Sequence, residues 1–327
     1  MQDLKQTRSG FRINAAVLPF AFLIASNPVH AIPLDIVVPA YFYPSFSGSA
    51  WDALTQAASS GVSITAIMNP GSGPGTSSNS DYSTAINGFR AAGGKVLGYV
   101  PSGYVGAQVN NTSTCQPASG TTYTVNDVVS CASRYQTFYS VDGIFVDEFG
   151  PPNSSVSNAT TLSFYEQIYN GLVGINSAWQ VVGNPGAAPI QGSLRVGNAG
   201  GANRLVTFEN DGSQLGSSTS AAWTQTQDAR AFINILYNVS ASANLDALVA
   251  QIAARNVGGI YITDDTLPNP YDTLPAQWTN LIGAVQRFNT AQAVPTPASA
   301  GLIGLGLLSL VFAPLLNNSR RKKRQGA

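Results

Sequence analysis

Residues 141–148 read Val-Asp-Gly-Ile-Phe-Val-Asp-Glu, a short apolar run that ends in two acids. The length of the run and its β-branched and aromatic residues predict a buried strand, Gly143–Glu148. Successive side chains of a strand point to opposite faces of the sheet. With Ile144 and Val146 on the face that helices cover, Asp147 lies on the other face.

Seven further runs of this kind lie along the chain. The eight predicted strands are Ile36–Tyr43, Ser63–Asn69, Lys95–Val100, Gly143–Glu148, Gln180–Asn184, Leu205–Glu209, Ala231–Leu236 and Gly258–Thr263. Segments with helical spacing lie between most of them, namely Ser49–Ser60, Tyr82–Ala92, Asn126–Tyr139, Thr160–Asn176 and Leu245–Arg255. Regular alternation of strands and helices predicts a parallel sheet, and eight repeats favour a closed one.

These elements fit within residues 32–293, a length typical of one (β/α)₈ barrel. The predicted fold class is therefore α/β, a single TIM-type barrel. The helix between the sixth and seventh strands is faint, around Ser218–Asp228. A flattened or incomplete barrel is the alternative at that point.

Polar and aromatic side chains follow most of the predicted strands. In parallel barrels the active site lies at the C-terminal ends of the strands. For single tyrosines, packing in the core is the alternative. The glycine-rich loop Asn69–Gly75 lacks the Lys-Ser/Thr of a phosphate-binding P-loop, so it is interpreted as a tight turn beside the substrate. The candidate substrate-binding residues are Tyr41, Tyr43, Asn69, Tyr99, Asn184 and Asp265.

The same alternation selects the candidate catalytic acids. With Val206 and Phe208 on the helix face, Glu209 points to the barrel axis, as Asp147 does. Strands lie about 4.8 Å apart, so two acids on strands separated by one can come within glycosidase range. Glu148, next to Asp147, is the third candidate.

Ordinary structural roles compete with catalysis for these acids. Acids at strand ends also cap helices or pair with arginine, and a divalent metal held by oxygen ligands is a further alternative. No metal motif supports that alternative, so we predict no metal and no cofactor.

Charge and histidine content restrict the chemistry. The chain has 16 basic and 16 acidic residues, but residues 32–293 hold only eight basic and fifteen acidic ones. An acidic body argues against nucleic acid as a partner. The single histidine, His30, precedes this body, so triads and histidine-ligated zinc sites are not expected there.

Both ends of the chain have features of processing signals. A basic stretch, an apolar run and Val29-His30-Ala31 predict a signal peptide over residues 1–31, with an uncleaved anchor as the alternative. Export makes a disulfide between Cys115 and Cys131 plausible, and two free buried thiols are the alternative.

Residues 294–327 contain Val294-Pro-Thr-Pro-Ala-Ser299, an apolar stretch and a basic cluster, Arg320–Arg324. This order resembles the PEP-CTERM sorting signal of Gram-negative bacteria. The resemblance implies processing by an exosortase-type enzyme and export beside an extracellular polysaccharide, after transient tethering to the inner membrane. A permanent tail anchor is the alternative.

Five motifs together resemble the spherulin-4 family, also called spherulation-specific family 4. They are Tyr41-Phe-Tyr-Pro44, Asn69-Pro-Gly-Ser-Gly-Pro-Gly75, Gly98-Tyr-Val100, Val141-Asp-Gly-Ile-Phe-Val-Asp-Glu148 and Gly183-Asn-Pro-Gly186. The resemblance implies a (β/α)₈ barrel and a glycoside hydrolase similar to endo-α-1,4-N-acetylgalactosaminidases. It places the essential acids at Asp147, Glu148 and Glu209.

The sequence thus predicts a secreted or cell-surface, endo-acting glycosidase of an amino-sugar polysaccharide. In a retaining reaction Asp147 would be the nucleophile and Glu209 the acid/base, and an inverting reaction stays open. A non-catalytic carbohydrate-binding or structural matrix protein on the same barrel is the alternative function.

Overall fold

The eight strands form a closed parallel barrel. A computed structural model describes residues 32–45, 48–108, 113–118, 120–151 and 155–293. Each strand pairs in parallel with the next one along the chain, and the eighth pairs with the first. The predicted TIM-type barrel is confirmed, and the incomplete barrel is excluded.

The elements follow the predicted order. The strands are β1 (Asp35–Ala40), β2 (Ile64–Met68), β3 (Lys95–Pro101), β4 (Gly143–Asp147), β5 (Gln180–Gly183), β6 (Arg204–Asp211), β7 (Phe232–Tyr237) and β8 (Gly259–Ile262). The helices are α1 (Ala50–Ala58), α2 (Ser80–Ala91), α3 (Val125–Tyr139), α4 (Asn158–Ile175), α5 (Leu245–Ala253) and α6 (Trp278–Ala293). All five helices that were predicted individually are present, and α6 is an addition.

Side-chain caps fix where several helices begin. At α1, Ser49 Oγ accepts from the Asp52 backbone N–H, and the Asp52 carboxylate accepts from the Ser49 N–H. Thr124 and Asp127 form the same reciprocal pair at α3. Each cap contributes about 1 kcal/mol to stability. Since these helices start just after the loops at the C-terminal ends of strands, the caps also anchor those loops.

The expected helix around Ser218–Asp228 is absent. Short 3₁₀ turns, Ala222–Thr226 and Ala229–Ala231, occupy that region instead. Hydroxyls compete with helical bonding there, because Ser218 Oγ donates to the Leu215 carbonyl.

An ion pair crosses the interior near the N-terminal ends of the strands. Arg204 on β6 donates from Nη1 and Nη2 to the two carboxylate oxygens of Asp35 on β1, both at 2.7 Å. Because β7 and β8 separate these strands in the sheet, the two side chains meet inside the barrel.

The predicted disulfide is present. Cys115 and Cys131 are bonded, with their Cα atoms 5.3 Å apart, and the bridge joins the loop after β3 to α3. Both cysteines are buried, so the bridge lies beneath the surface rather than in an exposed loop. The same loop contacts the glycine-rich loop after β2, where the Thr114 N–H donates to the Gly71 carbonyl at 3.2 Å.

The proposed processing signals lie outside the described residues. This applies to the predicted signal peptide (1–31) and to the sorting tail (294–327). Within the described ranges, none of the helices combines the length and the apolar character needed to cross a membrane.

Candidate active site

One asparagine connects two carboxylates at the C-terminal end of the barrel. Asn184, which directly follows β5, donates from Nδ2 to Asp147 Oδ1 at 2.8 Å and to Glu209 Oε2 at 2.7 Å. Because both bonds share one nitrogen, these two oxygens are at most about 5.5 Å apart. The structure thus brings together two predicted acids and one predicted binding residue, on three successive strands.

Two tyrosines hold the remaining carboxylate oxygens. Tyr99 on β3 donates its hydroxyl to Asp147 Oδ2 at 2.7 Å, and Tyr271 donates to Glu209 Oε1 at 2.6 Å. The Tyr41 ring lies against both tyrosine rings in edge contacts, with centroids 5.6 and 5.5 Å away. Tyr41 and Tyr99, which were predicted to bind substrate, therefore belong to the support of the acids.

A β-bulge turns Glu209 toward the axis. Arg204 lies inside the barrel, so regular alternation places Val206 inside as well and would turn Glu209 outward. The pairing register with β7 shifts between Val206 and Phe208, which leaves Thr207 as an extra residue. The extra residue reverses the alternation, and bulges next to active sites commonly re-aim a side chain in this way. The predicted inward direction of Glu209 is observed, although Val206 does not lie on the helix face as assumed.

Glu148 supports the neighbouring loop instead of reaching the pair. Its backbone is left-handed, with φ of 55°, an uncommon conformation for a residue with a side chain. Its Oε2 accepts from the Gly103 N–H at 2.9 Å, and its carbonyl accepts from the Tyr104 N–H and the Tyr165 hydroxyl. Backbone strain of this kind often lies at functional sites.

Burial and mutual repulsion favour a proton on the pair. Burial, and after it the negative charge of Glu209, raise the pKa of Asp147 to about 7, although the Tyr99 hydroxyl acts in the opposite direction. Burial also raises the pKa of Glu148, opposed by the Gly103 N–H. Asp147 therefore holds a proton up to near neutral pH.

The other predicted binding residues lie around this centre. Tyr43 is exposed on the loop after β1. Asn69 Oδ1 accepts from the Gly73 N–H at 2.9 Å and so holds its own turn. Asp265 Oδ2 is buried without a hydrogen-bond partner among the described residues. Within the described part of the chain, none of these three hydrogen-bonds to the carboxylate pair.

Sequence reasoning missed Tyr271. It lies in the long loop between β8 and α6, 62 residues away from Glu209 along the chain. The only available indication was an aromatic residue in Asn269-Pro270-Tyr271, after the last strand. Tyr165 on α4 was missed as well, because a tyrosine on the buried face of a helix is ordinarily part of the core.

Open space adjoins Glu209. A cavity of about 180 Å³ borders Asn184, Glu209 and Asn210 and extends to Arg255. Across the described ranges, no group of three or more His, Cys, Asp or Glu side chains is placed to hold a metal ion. The Glu209 carboxylate, the Asn184 amide and the Arg255 guanidinium are therefore polar groups that border this space.

The fold and the site together define a class of protein. The protein is a glycoside-hydrolase-like TIM barrel. It has a closed (β/α)₈ barrel, and two acids lie about 5.5 Å apart or less at the C-terminal ends of its strands. The chain belongs to spherulation-specific family 4, whose family model matches residues 35–285.

Individual relatives agree with this membership. The chain is 29% identical over 267 residues to Spherulin-4 of Physarum polycephalum, covering 79% of this chain and 71% of that protein. Its fold is similar to that of Aspergillus clavatus Sph3, solved in complex with GalNAc, with a TM-score of 0.61, 24% identity and coverage of 78% and 98% of the two chains. A Rhizomucor miehei endo-1,4-beta-mannanase has a TM-score of 0.50, 12% identity and coverage of 80% and 95%. At these identities the two solved structures show the fold.

Proposed function

We propose that the protein hydrolyses glycosidic bonds in an amino-sugar polysaccharide, with Asp147 and Glu209 as the catalytic pair. The observation that carries the proposal is the Asn184 amide shared between the two carboxylates. Two carboxylates held together without a cationic partner destabilise the fold, because like charges raise the energy of the ionised forms. Such an arrangement is typical of functional sites.

The separation of the acids supports a retaining reaction. Retaining enzymes have carboxyl groups about 5–5.5 Å apart, whereas inverting enzymes leave about 6.5–9.5 Å for a water molecule. The nearest oxygens of Asp147 and Glu209 are at most about 5.5 Å apart, which agrees with the shorter range. We therefore expect a covalent glycosyl-enzyme intermediate.

The raised pKa of Asp147 supports an assignment of the two roles. A general acid must hold its proton near neutral pH, which Asp147 does. In the first step Asp147 protonates the leaving oxygen while Glu209 attacks the anomeric carbon, so that the glycosidic C–O bond breaks and an ester forms. In the second step Asp147 takes a proton from water, which displaces Glu209. This assignment is the reverse of the one expected from the sequence.

The substrate class is inferred from similarity. Sph3 of Aspergillus clavatus was solved with GalNAc bound, and the family resemblance points to α-1,4-linked N-acetylgalactosamine. The described part of the chain gives neither catalytic acid a Lys or Arg ion-pair partner, since the ion pairs formed are Arg90–Asp142, Arg204–Asp35, Arg230–Asp228 and Arg287–Asp246. A site of this charge suits a neutral or basic sugar better than an acidic one.

We also propose that the protein is exported. Cleavage near Ile32 by signal peptidase and processing near Val294–Ser299 by an exosortase-type enzyme would release the barrel beside the polysaccharide. The disulfide supports an oxidising compartment. Intact-mass measurement on protein secreted by its native host tests this proposal, and recovery of a species that retains Arg320–Arg324 would contradict it.

The decisive experiment measures release of reducing ends. Wild type should cleave α-1,4-N-acetylgalactosamine polymer, with the anomeric configuration retained by NMR. Asp147→Asn and Glu209→Gln should each lower kcat by at least about 10³-fold with little loss of binding, because both preserve shape. In the alanine variants azide should replace the lost carboxylate, giving an inverted glycosyl azide with Glu209→Ala and a retained one with Asp147→Ala. Polymer binding by wild type without any cleavage would contradict the hydrolase and favour the binding-protein alternative.

A further inference from the structure

Tyr43 differs from the other tyrosines near the acids. It lies on the loop after β1, two residues beyond Tyr41, and 53% of its surface is exposed. Tyr99 and Tyr271 use their hydroxyls to hold the catalytic acids. Tyr43 makes no such contact, so it is available for a different task.

Although exposed, Tyr43 is held in place. Its hydroxyl donates to Asp81 Oδ2 at 2.5 Å and accepts from Asn79 Nδ2 at 3.1 Å. Its ring makes a T-shaped contact with Tyr82, with centroids 5.4 Å apart and an interplanar angle of 82°. Asn79 is the N-cap of α2 and Asp81 lies in its first turn, so a helix anchors the whole arrangement. A ring fixed in advance loses little conformational entropy when a ligand binds.

The location connects Tyr43 to the catalytic centre. Tyr41 touches the rings of Tyr99 and Tyr271, and two residues of chain span at most about 7 Å. The N-terminus of α2 lies at the same end of the barrel as the acids. Tyr43 therefore stands at the same end of the barrel as the acids, within two residues of the Tyr41 ring that packs on Tyr99 and Tyr271.

We propose that Tyr43 is an aromatic platform for a sugar ring of the polysaccharide at a distance from the bond that is cut. The chemical class of the ligand rests on the function proposed above. Since Asp81 and Asn79 already engage the hydroxyl, Tyr43 offers its ring face, which suits the apolar C–H face of a pyranose. A fixed platform beyond the acids makes the cleft longer than one sugar, as an endo-acting protein requires.

Binding measured against chain length tests this platform. The full-length protein carrying Asp147→Asn is titrated with α-1,4-linked N-acetylgalactosamine oligosaccharides of two to eight units. Adding Tyr43→Ala should weaken octamer binding about tenfold, from loss of one aromatic contact, and leave dimer binding unchanged. Tyr43→Trp should keep octamer affinity, because it retains an aromatic face.

A matched control removes exposed apolar surface elsewhere. Val196 is 67% exposed and precedes the N-terminal end of β6, so Val196→Ala should leave every affinity unchanged. Equal octamer affinity with and without the Tyr43 ring would overturn the platform, as would equal weakening at every length, which indicates a general structural effect. Binding by wild type without cleavage overturns the hydrolase but not the platform. Absence of binding by the wild-type protein overturns both.

Discussion

At the scale of single residues, the donors that hold Asp147 and Glu209 in the described part of the chain are neutral. Each of the four carboxylate oxygens of Asp147 and Glu209 accepts one hydrogen bond, from Asn184, Tyr99 or Tyr271. A cation in their place would keep both acids ionised, whereas neutral donors leave the mutual repulsion largely uncompensated. Asp147 can therefore retain a proton near neutral pH, which the proposed acid catalysis requires.

The Tyr99 hydroxyl should set the pH at which that proton is lost. It stabilises the ionised form of Asp147, so its removal raises the pKa of Asp147. We expect Tyr99→Phe to shift the basic limb of the kcat/KM profile to higher pH. Tyr169→Phe, which removes a hydroxyl bonded only to Asn203 on the outside of the barrel, is the matched control. An unchanged or lowered limb in Tyr99→Phe would show that another group controls activity.

The raised pKa of Asp147 also predicts a cost in stability. The folded state holds a proton on Asp147 up to about pH 7, while the unfolded chain releases it near its ordinary pKa, 3.8. Folding stability therefore falls as the pH rises through this window, and the loss is complete above pH 7. Asp147→Asn should raise the free energy of unfolding by about 2 kcal/mol at pH 8 and much less at pH 4. Urea denaturation at both pH values measures this, and equal effects at the two values would refute it.

At the scale of elements, alternation along a strand could be predicted, and its interruption could not. The acids at Asp147 and Glu209 were found by strand parity, yet a strictly regular β6 would have turned Glu209 away from Asn184. The bulge at Thr207 carries no glycine or other sequence mark, because it arises from pairing with β7. Predicting it requires the neighbouring strand, which single-strand patterns do not contain.

We expect the disulfide to stabilise two loops at the C-terminal end of the barrel. It closes a separation of 16 residues between Cys115 and Cys131, for which loop entropy predicts about 3 kcal/mol. Its loop also touches the glycine-rich loop through Thr114 and Gly71. We expect the double change Cys115→Ala/Cys131→Ala to lower the free energy of unfolding by about 3 kcal/mol, measured in urea without reductant. Activity per folded molecule should change little, and a loss of activity without loss of stability would contradict this assignment.

At the scale of the whole molecule, the repeated strands of the barrel could be predicted from the sequence. Contacts between residues that are distant along the chain could not. Eight apolar runs indicated the barrel because each strand is recognisable from its own residues. Tyr271 reaches Glu209 from a loop whose path depends on the closed barrel. Asn184 was selected for its place after a strand, but the bridge that it forms needs both acids in position.

Substitutions at the N-terminal end of the barrel should lower stability without changing catalysis at the opposite end. In such barrels the C-terminal face carries the active site and the other end contributes to stability, and here the buried Arg204–Asp35 ion pair lies at that other end. Arg204→Met leaves the Asp35 carboxylate unpaired in the interior, which should lower the free energy of unfolding by about 3–5 kcal/mol. Arg204→Met with Asp35→Asn removes both charges and should recover part of that loss. Arg230→Met, which breaks the exposed pair with Asp228, is the control and should cost less than about 1 kcal/mol.

At a temperature where all variants are folded, kcat should match that of wild type, because the acids and their donors lie at the opposite end. A large loss of kcat in the fully folded double variant would mean that the interior ion pair also positions the catalytic face.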